Sequence, residues 1–171
     1  MDRRLATSVH TGLLIAVLGA FAWVTGFPML FPSLGPSAFV LAMFPDGEAS
    51  DTHRVVVGHA IGVVAGLFAY HLFAGGVTMT TQVTPLSMPG FRLAASGCIA
   101  TVLTVGGMLA LRVRHPPACA TTLIVALGLL SSPAEGATIL VAVVILVGVQ
   151  SLILSVVKLT EQTDITTDIS D

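Results

Sequence analysis

Three short runs carry the residue types that bind or move small polar species. The first is Arg114-His115-Pro116-Pro117-Ala118-Cys119-Ala120-Thr121. Its two prolines fix a turn and open a helix, because the first helical turn has no partner for the N–H that proline lacks. Ala118, Cys119 and Ala120 are small enough for a ligand or another backbone to come close. His115, just ahead of that helix, has two readings: it donates to an anion and carries a proton with it, or it caps its own helix at the membrane interface.

The second run is Ser33-Leu34-Gly35-Pro36-Ser37-Ala38. Ser33 and Ser37 bring hydroxyl donors, and Gly35 permits backbone conformations closed to other residues. An ordinary helix cap accounts for Ser33 equally well. The third run is Arg54 to His59, continued by Gly62 and Gly66. Gly58, Gly62 and Gly66 repeat a small residue every fourth position, which lets helices approach closely in lipid. His59 shares a face with Gly66 and Tyr70 and points into a bundle. There it either bonds a neighbouring carbonyl or contacts substrate or proton. Arg54 marks a helix end and attracts anions by its charge.

The elements that must position these runs are apolar. Of 171 residues, 54% are hydrophobic and 9% charged, and the mean hydropathy is +0.96. A soluble domain averages about a quarter charged residues, so the composition is that of a polytopic membrane protein. No Asp, Glu, Lys or Arg occurs from Val55 to Phe91. A net charge of −2 gives no support to nucleic-acid binding. Cys98 and Cys119 lie in apolar stretches and form neither a disulfide framework nor a zinc spacing.

Four runs are long enough to span a core about 30 Å thick: Val9 to Phe31, Val55 to Ala74, Leu93 to Leu111 and Ala137 to Val157. The first exceeds the h-region of a cleavable signal and reads as a retained signal-anchor helix. Pro36 to Phe44 and Pro116 to Leu130 are shorter, and each opens at a proline. The order long, short, long therefore occurs twice, as in an internal duplication.

Lysine and arginine collect on the cytoplasmic side. With six crossings and an internal N-terminus, Arg3, Arg4, Arg54, Arg112, Arg114 and Lys158 are cytoplasmic and Arg92 alone is outside. Turning the short segments back on themselves spoils that separation. The expected fold is thus an all-α membrane protein of six hydrophobic segments, arranged as two inverted three-segment repeats with one short helix each. Repeat one covers about residues 5–80 and repeat two about 88–158, within a single transmembrane domain 1–158. A polar acidic tail, 159–171, is expected to be solvated and mobile. Both termini would be cytoplasmic, and the protein would reside in the cell membrane.

Inverted repeats with a short segment in each half point to a transport site. Two short-helix N-termini, each with unpaired N–H groups and a partial positive charge, would suit a small anion. Protonation of His115 or His59 would couple uptake to protons and make it pH-dependent.

Other residues have plainer readings. His10 and His71 lie near segment ends, Trp23 packs or anchors at an interface, and Glu135 begins the last helix. An enzyme is not expected: the chain has no intramembrane carboxylate, no metal motif and no nucleophile paired with a base, so neither catalytic nor metal residues nor a cofactor are assigned. The alternatives are an anion channel of other specificity and a structural or partner-binding membrane subunit, which the glycine stripe alone would fit. A chain of this size makes a slim bundle, compatible with homo-oligomers.

The run His115-Pro116-Pro117-Ala118 resembles the signature of the HPP family of small integral membrane proteins. The stretch from Pro32 to Leu41 resembles that family's Gly-x-Ser-Ala turn before a short helix, and Arg54 to His59 is similar to its Arg-x-x-x-Gly-His segment. These matches run in order from about Phe31 to Val157. The sequence departs from the family pattern at Cys119, where glycine is expected, and at Val113, where threonine is. The resemblance implies a multi-pass membrane protein related to nitrite transporters. The resemblance carries over Ser33, Gly35, Ser37, Arg54, His59, His115, Pro116 and Pro117 as substrate-binding candidates, to which Cys119 and Thr121 of the His115 run are added.

Overall fold

Each helix begins and ends where a short-range signal in the sequence places it. In the computed structural model, which describes residues 2–81 and 83–168, α1 spans Arg3–Thr25. The Asp2 carboxylate accepts from the Arg4 N–H at its start, and Gly26, at φ 73°, closes its end in the left-handed conformation. The apolar run from Phe27 to Phe31 is therefore not helical, although its hydropathy continues that of α1. α2 covers Leu34–Met43, and α3 covers Thr52–Ala69 with Asp51 accepting from the Arg54 N–H. A wider π-type turn, Tyr70–Ala74, completes α3.

α4, Met88–Ala110, has Ser87 as its cap and Pro89 in its first turn. It ends with Arg112 at φ 58°, where the Val113 N–H donates back to the Met108 carbonyl. α5 is Ala118–Ala126, and α6 runs from Pro133 to Asp168. At its start the Glu135 carboxylate accepts from the Ser132 N–H while the Ser132 hydroxyl accepts from the Glu135 N–H. That reciprocal cap is the helix-start role expected of Glu135. α6 continues past Lys158, where the sequence turns polar; of the expected tail, residues 169–171 lie outside the described residues.

Among the described residues, four helices are long and apolar enough to cross a membrane: Arg3–Thr25, Thr52–Ala74, Met88–Ala110 and Pro133–Leu159. Six helices and no strands occur among the described residues. α2 and α5, with 10 and 9 residues, extend only about 15 Å each at 1.5 Å per residue. They differ from expectation in where they begin. α2 starts two residues before Pro36, whereas α5 starts after Pro117, because the Pro116-Pro117 pair is used up in the turn.

Contacts fix the direction of each helix. α4 runs antiparallel to α3, since Gly107 faces Ile61 and the Arg92 guanidinium donates to the Phe73 carbonyl. α5 runs along α3 in the same direction, with Ala118 by Gly58, Thr122 by Gly62 and Val125 by Gly66. α6 passes Val63 and Leu67 at Gly136, then reaches the far end of α2, where Gln150 donates to the Leu41 carbonyl. α2 itself ends beside the start of α3, with the Ser50 hydroxyl donating to the Val40 carbonyl.

α1 starts beside the end of α2, with Thr7 and Ser8 sharing a groove with Phe39 and Met43, so one end of the bundle holds the starts of α1 and α3 and the ends of α2 and α4. Arg3, Arg4, Arg54, Arg112 and Arg114 sit there; Arg92 is at the other end, donating to the carbonyls of Phe73 and Gly75. The main apolar core joins Leu14 and Leu18 of α1, Leu34 and Leu41 of α2, Val55 of α3, Val125 of α5 and Leu146 of α6.

The short helices carry C-terminal carbonyls that a lipid core would leave without partners. Side chains from long helices supply them. Ser96 of α4 donates to the Ala126 carbonyl at 2.7 Å, and Gln150 of α6 donates to the Leu41 carbonyl at 3.0 Å.

Candidate functional site

Glycines of α3 make room for the site. A Cβ on Gly58 would lie 3.1 Å from the His115 Cβ, one on Gly62 2.9 Å from the Ala118 carbonyl oxygen, and one on Gly66 2.7 Å from the Val125 Cβ. The stripe thus serves the contact between α3 and α5 within this chain. It brings the start of α5, with His115 just ahead of it, against the second turn of α3, where His59 projects.

Ser37, in the first turn of α2, meets both histidines. Its hydroxyl oxygen lies 3.0 Å from the His59 Nε2 and 3.2 Å from the His115 Nε2. It also lies 3.1 Å from the Ser33 carbonyl oxygen. The His59 Nδ1 is 2.7 Å from the Thr121 hydroxyl. The His115 Nδ1 is 2.7 Å from the Ala49 carbonyl oxygen, to which it donates. The two imidazole rings are tilted with centroids 5.1 Å apart. Ser33, Ser37, His59, His115 and Thr121 are all 0% exposed. A second buried pair, Thr104 and Thr122, bonds at 2.8 Å between α4 and α5.

Of the ten candidates, Ser37, His59, His115 and Thr121 thus form one connected cluster drawn from α2, α3, α5 and the turn before α5. Ser33 lies one helical turn from Ser37, buried, with its hydroxyl unpartnered. Pro117 is buried in the turn that places His115, whereas Pro116 is exposed. Cys119 lines an outer groove of about 260 Å³ together with Val105, Met108, Leu109, Arg114, His115 and Pro116. Gly35 sits within α2, and a Cβ there would meet nothing within 4 Å; its conformational freedom is not used. Arg54 lies at the bundle end, paired with Glu48 at 2.8 Å.

Unpaired helix-start amides were expected to cradle a ligand, and here the structure differs. The first N–H groups of α5 donate backwards, Ala118 to His115, Cys119 to Pro116 and Ala120 to Pro117, each at 3.0 Å. In α2 the Leu34 N–H donates to the Phe31 carbonyl, and Pro36 has none to offer. The turn ahead of α5 consumes its first donors and the turn ahead of α2 consumes the Leu34 N–H, so side chains supply most of the polar surface of the site. The sequence reading missed the Ala49 carbonyl, the Thr104–Thr122 pair and Gln150. Gln150, a lone amide in an apolar helix, was a visible signal; a backbone carbonyl gives none.

Helices of membrane-spanning length around a buried polar cluster, with carbon surfaces outward, define an integral membrane protein. The chain matches the HPP transmembrane-region family over residues 1–163. It belongs to that family. It matches no curated protein and no solved structure.

Proposed function

We propose that this protein moves a small inorganic anion across the cell membrane, with nitrite the first candidate, and that the cluster of His59, Ser37, His115 and Thr121 is where the anion is handled. The observation that carries the reading is this fully buried polar cluster, with two ionisable side chains, inside a largely apolar bundle. Polar and ionisable groups at such depth are costly and are retained for function. Ser33 adds an unpartnered hydroxyl beside it. Neither an enzyme nor a cofactor is needed for this role.

The directions of the helices support an inverted repeat. α1, α2 and α3 run opposite to α4, α5 and α6 in turn, and one short helix from each half reaches the cluster. With both termini cytoplasmic, five arginines lie on the inner side. Uptake of nitrite into proteoliposomes, with His115→Ala as control, tests the function. Thermal shift of the purified protein with nitrite, nitrate, formate, chloride and bicarbonate tests the specificity.

A further inference from the structure

The cluster around Ser37 contains more hydrogen-bonding contacts than hydrogens. Its five contacts are Ser37 to the Ser33 carbonyl, Ser37 to each histidine Nε2, His59 to Thr121 and His115 to Ala49. Each needs one hydrogen. With both imidazoles neutral, Thr121, His59, Ser37 and His115 bring one each, and one contact goes without.

The shortfall falls at a definite place. A carbonyl only accepts, so the His115 hydrogen is on Nδ1, facing Ala49. The neutral His115 Nε2 is then bare, and Ser37 is its partner. Ser37 has one hydrogen to give, to His115 or to the Ser33 carbonyl, but not to both. Under either choice His59 donates from Nε2 to Ser37 and accepts from Thr121 at Nδ1. One further proton on the His115 Nε2 satisfies all five contacts. Both imidazoles then donate to the two lone pairs of Ser37, and Ser37 donates to Ser33. The same proton placed on His59 leaves Ser37 still one hydrogen short, for either the His115 Nε2 or the Ser33 carbonyl, although that carbonyl keeps the Ser37 backbone N–H at 3.4 Å.

We infer that the cluster is a binding site for one proton, taken up at the His115 Nε2 and held by Ser37. The proton arrives from water as hydronium and leaves a single positive charge on the imidazole; no other bond changes. The ionisable groups on the surrounding elements are His53 and His59 on α3, Tyr70 and His71 in the turn that completes it, Cys119 on α5, Arg112 and Arg114 ahead of α5, and Asp46, Asp51 and the Arg54–Glu48 pair in the segment around Ala49. α2 has none, α1 beyond Arg4 has only His10, α4 has Arg92 and Cys98, and α6 has none between Glu135 and Lys158. Among the described residues no carboxylate bonds to the cluster, so a buried imidazolium there needs a counter-charge. On the proposed transport reading, the travelling anion supplies it, one proton with one anion.

The test reads the proton directly and without added substrate. The three other histidines are replaced (His10→Gln, His53→Gln, His71→Gln), and the protein, labelled with 15N in its histidine rings, is followed by NMR in lipid nanodiscs as pH is lowered. The expected result is that His59 keeps its hydrogen on Nε2 throughout, while His115 passes from Nδ1–H alone to both ring nitrogens protonated. In Ser37→Ala the protonation of His115 is lost from the same pH range; the unsubstituted cluster carries the primary reading whether or not that variant folds. Protonation of His59 in place of His115, or a His115 that stays singly protonated down to the pH of unfolding, overturns the inference. Failure of nitrite uptake with the expected NMR result would sink the transport reading alone.

Discussion

Ser37 and His115 are 78 positions apart in the chain, yet the serine hydroxyl lies 3.2 Å from the histidine Nε2. One belongs to α2 and the other to the turn that opens α5, so the two short helices share one polar point. Residues that act through one bonded network are not additive when removed. Ser37→Ala and His115→Ala should each reduce nitrite uptake by roughly tenfold, the equivalent of one hydrogen bond to a charged group. The double variant should lose little more than either alone. Losses that multiply in the double variant would mean the two residues act separately.

Gly66 should not tolerate a methyl group. Its added Cβ would lie 2.7 Å from the Val125 Cβ and 3.0 Å from the Thr122 carbonyl oxygen, both on α5. Overpacking of this kind costs about 1–3 kcal/mol, so Gly66→Ala should lower the thermal unfolding temperature in detergent. Gly12→Ala is the control, because nothing lies within 4 Å of its added Cβ. It should be neutral or raise stability by up to about 1 kcal/mol, through the better helix propensity of alanine.

Ser96→Ala should destabilise without touching the cluster. The substitution leaves the buried Ala126 carbonyl without its 2.7 Å donor, a loss of about 1–3 kcal/mol. Thermal unfolding reads the effect. Unchanged stability would show that the C-terminus of α5 finds another partner.

The number of helices and their apolar character were legible in the sequence because each rests on local signals; His59 and His115 stood out singly, but their meeting at Ser37 did not. Prolines at 36, 116 and 117 announced the short helices, and the glycine stripe announced a close helix contact. What occupies that contact was not legible. α5 packs on Gly58, Gly62 and Gly66 of the same chain, whereas spacing alone serves an intrachain or interchain partner equally. The hydrogen-bond partners of His115 were hidden for a related reason. Ala49 contributes a carbonyl, which every residue has, and the turns that consume the amides at the starts of α2 and α5 depend on backbone angles. The end of α1 was misjudged because hydropathy runs on through Phe31 while Gly26 and Pro28 stop the helix.

Passage of the short helices through the membrane has its own test. Single cysteines are introduced at Arg112 and Ser131 in a Cys98→Ala, Cys119→Ala background and labelled with a membrane-impermeant thiol reagent. If α5 and the segment before it cross, the two sites label from opposite sides. Labelling of both from one side would mean that α5 returns to the face it came from, and the inverted repeat would fall.

The central claim is that the buried cluster handles a small anion, and nitrite uptake into proteoliposomes measures it most directly. The protein and its His115→Ala variant are reconstituted at equal, folded amounts, checked by thermal unfolding. Protein-dependent uptake is expected, and the variant should lose it by roughly tenfold or more. Equal uptake by the two proteins would contradict the claim.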